Sequence, residues 1–228
     1  IKSKAPHLFL MHLIDLDDAK HAMGTTGPHI QDVICHMDRR LGKIMQAVED
    51  AGIGDKTTII IVGDHSQLDV QYKVHLNTLF VQHGLIYEEA GKWQWRAYVQ
   101  SAGGSAYLHI KPGDKEAEQK ALQLIDEAIE NDLYGIEALY TREQLDDLHI
   151  EKIFRYMLEA KVGYAFEDKH TEEIVEDLHA KQQRYATHGY SPFKPNYTSN
   201  FIVAGPKIAQ NKQIGPMEVV DLAPTIAA

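Results

Sequence analysis

The sequence predicts an α/β domain built on a mostly parallel sheet flanked by helices. Two short runs, 8–14 (Leu-Phe-Leu-Met-His-Leu-Ile) and 57–62 (Thr-Thr-Ile-Ile-Ile-Val), are apolar on successive residues rather than alternating. Strands of that kind are covered on both faces, as in a parallel sheet. Between them Ile30, Val33, Ile34, Met37, Leu41, Ile44, Met45 and Val48 recur at spacings of three and four, which makes one apolar stripe on a long helix. Strand, helix and strand over about 55 residues form a βαβ unit, whose crossover is right-handed.

Each element has local punctuation. Pro6 precedes the first strand, and the polar stretch 15–27, with Gly24 and Gly27, reads as a loop. Pro28 suits the first turn of the helix and Gly52 closes it. Farther on, Thr78–Gln82 reads as another strand. Residues 91–111 read as short strands turning at Gly103-Gly104. An amphipathic helix is expected over 114–130, two short helical pieces over 141–160, a strand over 163–167 and a charged helix over 171–184. Phe201–Ala204 is a last short strand before Gly205-Pro206, and a final helix begins at Asp221 and runs to Ala228.

Composition narrows the function. Among 228 residues, 23 Lys+Arg stand against 33 Asp+Glu, a net charge of −10. That balance argues against a binder of nucleic-acid polymer, which needs a basic face, and against a polybasic membrane-surface module. The single cysteine, Cys35, excludes an intramolecular disulfide scaffold; its place inside the long helix reads as core. Trp93, Trp95 and Tyr107 read as packing residues. No segment reaches the ~20 apolar residues of a membrane span. No signal peptide is visible, but the chain opens Ile-Lys-Ser-Lys-Ala-Pro without an initiator Met, so compartment stays open.

The chemistry gathers where strands end. The first expected strand runs into Asp15-Leu-Asp17-Asp-Ala-Lys-His21, the second into Gly63-Asp64-His65-Ser66. Ligands of open parallel sheets bind at the carboxyl ends of strands. Asp17 and His21 are four apart, so one helical turn puts both on one side. Asp64 and His65 are adjacent and reach one metal only if the strand ends there, which Gly63 permits. A third candidate is Thr187-His188-Gly189-Tyr190. Carboxylate with imidazole suits zinc and similar divalent metals. Taken singly, each cluster is equally a turn, an N-cap or a surface histidine.

Together, the three clusters resemble the carboxyl-terminal half of the alkaline phosphatase superfamily, most closely its nucleotide pyrophosphatase/type I phosphodiesterase branch. The matching stretches are Asp17-Asp-Ala-Lys-His21-Ala-Met-Gly24, with Pro28 after it, and Met37-Asp38-Arg-Arg-Leu-Gly42 in the long helix. Downstream stand Gly63-Asp64-His65-Ser66, which departs from the family at both flanks, His188-Gly189-Tyr190, Ala204-Gly205-Pro206 and the closing Val220–Thr225. The resemblance implies an incomplete alkaline-phosphatase-like domain. It has a metal-site core over 1–84, an inserted or cap-like α+β region over 85–175, and a return to the core over 176–228. It further implies two divalent metals, zinc or manganese. Asp17, His21 and His188 would hold one, and Asp64 and His65 would contribute to the other.

The implied activity is hydrolysis of phosphodiester or pyrophosphate bonds in a small phosphate-ester substrate, through attack by a Thr or Ser. No Thr or Ser here matches that nucleophile; Thr25, Thr26 and Ser66 lie near the motifs without matching it. The nucleophile is therefore expected upstream of this chain, and the chain alone is expected to turn over little. The alternatives are a phosphate-transferring mutase of the same superfamily and a non-catalytic binding fragment.

Overall fold

The computed structural model describes residues 6–227, so Ala228, the last position of the expected final helix, lies outside the described residues. The chain is α/β, but its sheets are small and mostly antiparallel. Helix α1 (Asp15–Met23) and the long α2 (Pro28–Asp50) come first. Strand β1 (Ile59–Val62), short strands β2 (Leu68–Asp69) and β3 (Tyr72–Val74) and helix α3 (Leu76–Gln82) follow. Then come β4 (Ile86–Glu89), β5 (Lys92–Trp95), β6 (Ala97–Ser101), β7 (Ser105–Ile110) and helix α4 (Lys115–Glu130). Strand β8 (Ile136–Tyr140), helix α5 (Arg142–Asp147), β9 (Tyr156–Ala160), β10 (Tyr164–Phe166) and β11 (Val175–Asp177) lead to β12 (Ala186–Thr187), β13 (Phe201–Ala204) and helix α6 (Leu222–Ala227).

The core lies in the middle of the chain. Strands β6-β7-β9-β8 form an antiparallel sheet, and α4 packs behind it. Phe80, Val99, Ile125, Ile136 and Leu158 are sealed from solvent there. Burying each such side chain is worth roughly 1.5–3 kcal/mol. Asp114 caps α4 by accepting from the Ala117 N–H at 3.0 Å, and it grips Arg96 at 2.7 Å. Among the described residues the one parallel pairing is β3 with β10; β11 flanks β3 on its other side, antiparallel.

Several expectations are corrected. The expected parallel sheet is absent from the described residues: β1 pairs with β13, antiparallel, and the two form a sheet by themselves. Residues 8–14 form no strand, and Leu8, Phe9, Leu10, Met11 and Ile14 are 50–77 % exposed. Strands apolar on successive residues need cover on both faces, and among the described residues no layer covers the side chains of 8–14. The stripe on α2 is real, but only Ile30 and Val48 are fully covered, and Cys35 is exposed rather than core.

Residues 15–23 are helix rather than loop. Asp15, Asp17 and Asp18 favour the positive N-terminal end of the helix dipole, and Gly24 ends the helix at φ +81°. Residues 76–82 are a buried helix, not a strand, because a short apolar run does not distinguish the two. The second expected helix within 141–160 is strand β9, whose backbone is taken by β7 and β8. Over 171–184 there is no helix: β11 borrows its hydrogen bonds from β3. Trp93 and Trp95 are respectively 52 % and 40 % exposed, with ring contacts to His170 and Tyr98.

Candidate metal centre

Three distant segments meet at the short pair β2–β12. Thr187 pairs with Leu68 and Ala186 with Asp69. The first residue after β12 is His188, and the residue just before β2 is Gln67. Helix α1 packs on β12 and supplies Asp17 and His21 from one face. Its C-terminal turn is tied down twice. Asp69 accepts the Thr25 N–H at 2.6 Å and the Thr25 hydroxyl at 2.8 Å, and Arg184 donates to the Thr26 carbonyl at 2.8 Å.

One ligand atom each from Asp17, His21 and His188 lies within 4.8 Å of the others. Nitrogen and oxygen ligands of a tetrahedral zinc sit roughly 3.3–3.5 Å apart, so the three atoms are near enough to close on one ion. The His21 Nε2 to Asp17 Oδ2 distance is 3.5 Å. The other ring nitrogen of His21, Nδ1, lies 2.7 Å from the Ala186 carbonyl oxygen. A carbonyl can only accept, so Nδ1 carries a proton, and in the neutral ring Nε2 is then the nitrogen with the lone pair. Gln67 donates to Asp17 Oδ1 at 2.5 Å, which fixes the carboxylate. Burial, ahead of repulsion from His65, holds the His188 imidazole below its usual range, and the neutral ring is the form that binds metal. The donor set, the locked tautomer and the spacing all fit a divalent metal.

The other two expected ligands are placed differently. The His65 ring lies 4.0 Å, centroid to centroid, from that of His188, and its Nε2 is 3.9 Å from Asp17 Oδ1. Asp64 lies at the rim, 69 % exposed in its side chain, 3.7 Å from His65 Nε2 and 3.9 Å from His12 Nε2. The structure thus brings Asp17, His21 and His188 together with His65 against them and leaves Asp64 outside the cluster. Sequence reasoning missed Gln67 and the Asp69–Arg184 clamp, since neither residue type nor spacing marks them. Of the hydroxyls near the motifs, that of Thr25 is held by Asp69 and that of Thr26 accepts from Arg184.

The α/β arrangement is of the alkaline-phosphatase kind. The type I phosphodiesterase/nucleotide pyrophosphatase family matches residues 2–191, and the chain belongs to that family. Among solved structures, human ectonucleotide pyrophosphatase/phosphodiesterase 5 superposes with a TM-score of 0.69 at 18% identity, covering 92% of this chain and 50% of the other. The murine counterpart gives 0.59 at 16%, covering 83% and 45%, and an inactive variant of it in complex with AMP gives the same values. This chain therefore spans about half the length of the solved structures it matches. No curated protein matches by sequence. No helix among the described residues is long and apolar enough to cross a membrane.

Proposed function

We propose that this chain is the metal-binding part of a hydrolase acting on phosphodiester or pyrophosphate bonds of a small phosphate ester. The observation that carries the reading is the convergence of Asp17, His21 and His188, from segments far apart in the chain, on one point. Family membership supports the reaction class. The division into a core over 1–84, an inserted region over 85–175 and a return over 176–228 belongs to the same proposal.

In this reading Asp17, His21 and His188 hold one divalent metal, and Asp64 and His65 contribute to a second. Three protein ligands leave a position open for substrate, as catalytic zinc sites do. Such metals, zinc or manganese, supply polarisation of the phosphoryl oxygens and charge neutralisation in an in-line displacement. Gln67 orients the Asp17 carboxylate, and the Ala186 carbonyl holds the His21 ring with Nε2 forward. No Thr or Ser of this chain is assigned the attacking role in this reading. A structural relative in complex with AMP makes a nucleotide-like phosphate ester the first substrate to try.

The test is metal content and hydrolysis of a nitrophenyl phosphodiester. Zinc retained by the purified chain and lost in His188→Ala is the expected result. Little hydrolysis is expected from this chain alone, since none of its hydroxyls matches the family's nucleophile. Equal zinc content in the chain and in His188→Ala would sink the proposal, as would robust turnover by this chain with His188 replaced.

A further inference from the structure

His188 itself lies just past a two-residue strand, which is a weak mount for a metal ligand. Its backbone is held instead by the turn between β6 and β7. Gly104 N–H donates to the His188 carbonyl at 2.8 Å. The approach is too close for side chains: a Cβ on Gly103 would lie 2.4 Å from the His188 oxygen, and one on Gly189 1.9 Å from the Ala102 oxygen. Gly189 also has φ +83°, a conformation that favours glycine. A Cβ on Gly104 would meet the Tyr190 ring at 2.2 Å. The turn is anchored to two strands, since the Gly104 carbonyl accepts from Ala160 of β9 in its own sheet and the Gly103 carbonyl from Phe166 of β10, at 2.8 Å each.

A second hold lies three residues on. Glu159 of β9 is sealed from solvent, and its Oε1 accepts the Ser191 N–H at 2.9 Å and faces Lys194 Nζ at 3.4 Å. Its Oε2 has no hydrogen-bond partner among the described residues. Burying a carboxyl with one oxygen unsatisfied costs stability. Glu159 is thus a poor choice for packing alone, and its one well-made backbone bond goes to the segment that carries His188.

We propose that the Gly103–Gly104 turn and Glu159 are positioning elements for His188, which fix its backbone on both sides and so set the affinity of the metal centre. This rests on the metal-binding reading above. It gives the 85–175 region a task in building the metal site, in addition to any role over the substrate. The metal ligand then moves with the sheet of that region rather than with α1.

The test is zinc affinity, by competition with a chromophoric chelator, and the visible spectrum of the cobalt-loaded chain, for wild type, Glu159→Leu, Glu159→Gln and His188→Ala. Glu159→Leu removes the acceptor for Ser191 and is expected to weaken zinc about tenfold or more, with a changed cobalt spectrum. Glu159→Gln keeps an oxygen for Ser191 and is expected to stay close to wild type. Should Glu159→Leu not fold, Gly104→Ala carries the test: its methyl displaces the Tyr190 ring and is expected to give the same loss. A folded Glu159→Leu or Gly104→Ala that binds zinc like wild type, with a lowered metal-free Tm only, overturns this inference while leaving the metal centre standing. A wild-type chain that takes up no zinc, or a His188→Ala variant that binds it equally, overturns both.

Discussion

Gln67 Nε2 lies 2.5 Å from Asp17 Oδ1, and the Gln67 side chain is almost wholly covered. The amide comes from the entry to β2 and the carboxylate from α1, so the contact locks two of the three converging segments in register. Replacing a group that orients a metal ligand typically costs roughly 10–100-fold in affinity. Gln67→Leu is expected to lose zinc affinity in that range with the helix content of the chain unchanged, measured by chelator competition alongside circular dichroism. Wild-type affinity in this variant would remove Gln67 from the site.

The proposed ligands themselves are expected to have larger effects. His21→Ala removes the Nε2 donor and the hold on the Ala186 carbonyl together. Zinc affinity is expected to fall by more than the roughly 100-fold upper range of outer-shell changes. Asp64→Ala, at the rim, is expected to leave the tight zinc equivalent in place. Stoichiometry by metal analysis separates the two outcomes.

Acid stability follows from Asp114. Its hydrogen bonds from Arg96, and then from the Ala117 N–H, bring its pKa down to about 2 from an unfolded value of 3.8. The folded value is the lower one, so the ionised form is favoured by folding. That contribution is fully present above the unfolded value and is lost as pH falls through the folded one. In thermal melts, the margin of wild type over Asp114→Asn is expected to be constant above about pH 5 and to shrink toward pH 2. A margin that grows on acidification would contradict the pairing.

The core and the surface are expected to respond very differently. Phe80 is fully buried in the main cluster, whereas Phe193 is 82 % exposed. Phe80→Ala is expected to cost about 3–5 kcal/mol, and Phe193→Ala less than about 0.5 kcal/mol. Urea unfolding curves give both numbers directly.

Long α2, amphipathic α4 and the glycine turn between β6 and β7 are legible in the sequence, because local pattern dictates them and local pattern is what a sequence displays. The convergence of Asp17, His21 and His188 is legible because the first two sit one helical turn apart and the third stands in a stretch that resembles a family motif. What the sequence hides depends on tertiary partners. Thr78 is helical because its apolar neighbours Leu76, Leu79 and Phe80 plug the core, and Val175 is extended because β3 offers an open edge. Gln67 and Glu159 carry no signature at all, since their importance arises only from which backbone or carboxylate happens to face them. The expected parallel sheet rests on residues 8–14 and 57–62, and the apolar side chains of the first run face water instead of a second layer.

The β1–β13 ribbon has a physical consequence of its own. Among the described residues, Ile59–Val62 and Phe201–Ala204 pair only with each other, so each shows a free row of amides and carbonyls beside side chains such as Val62 and Ile202 that face water. Such an edge is a template onto which another molecule can add strand by strand. Concentrated solutions of the chain should therefore turn cloudy on warming well below the melting of its α4-backed sheet, and a lysine placed at Ile202 should keep them clear.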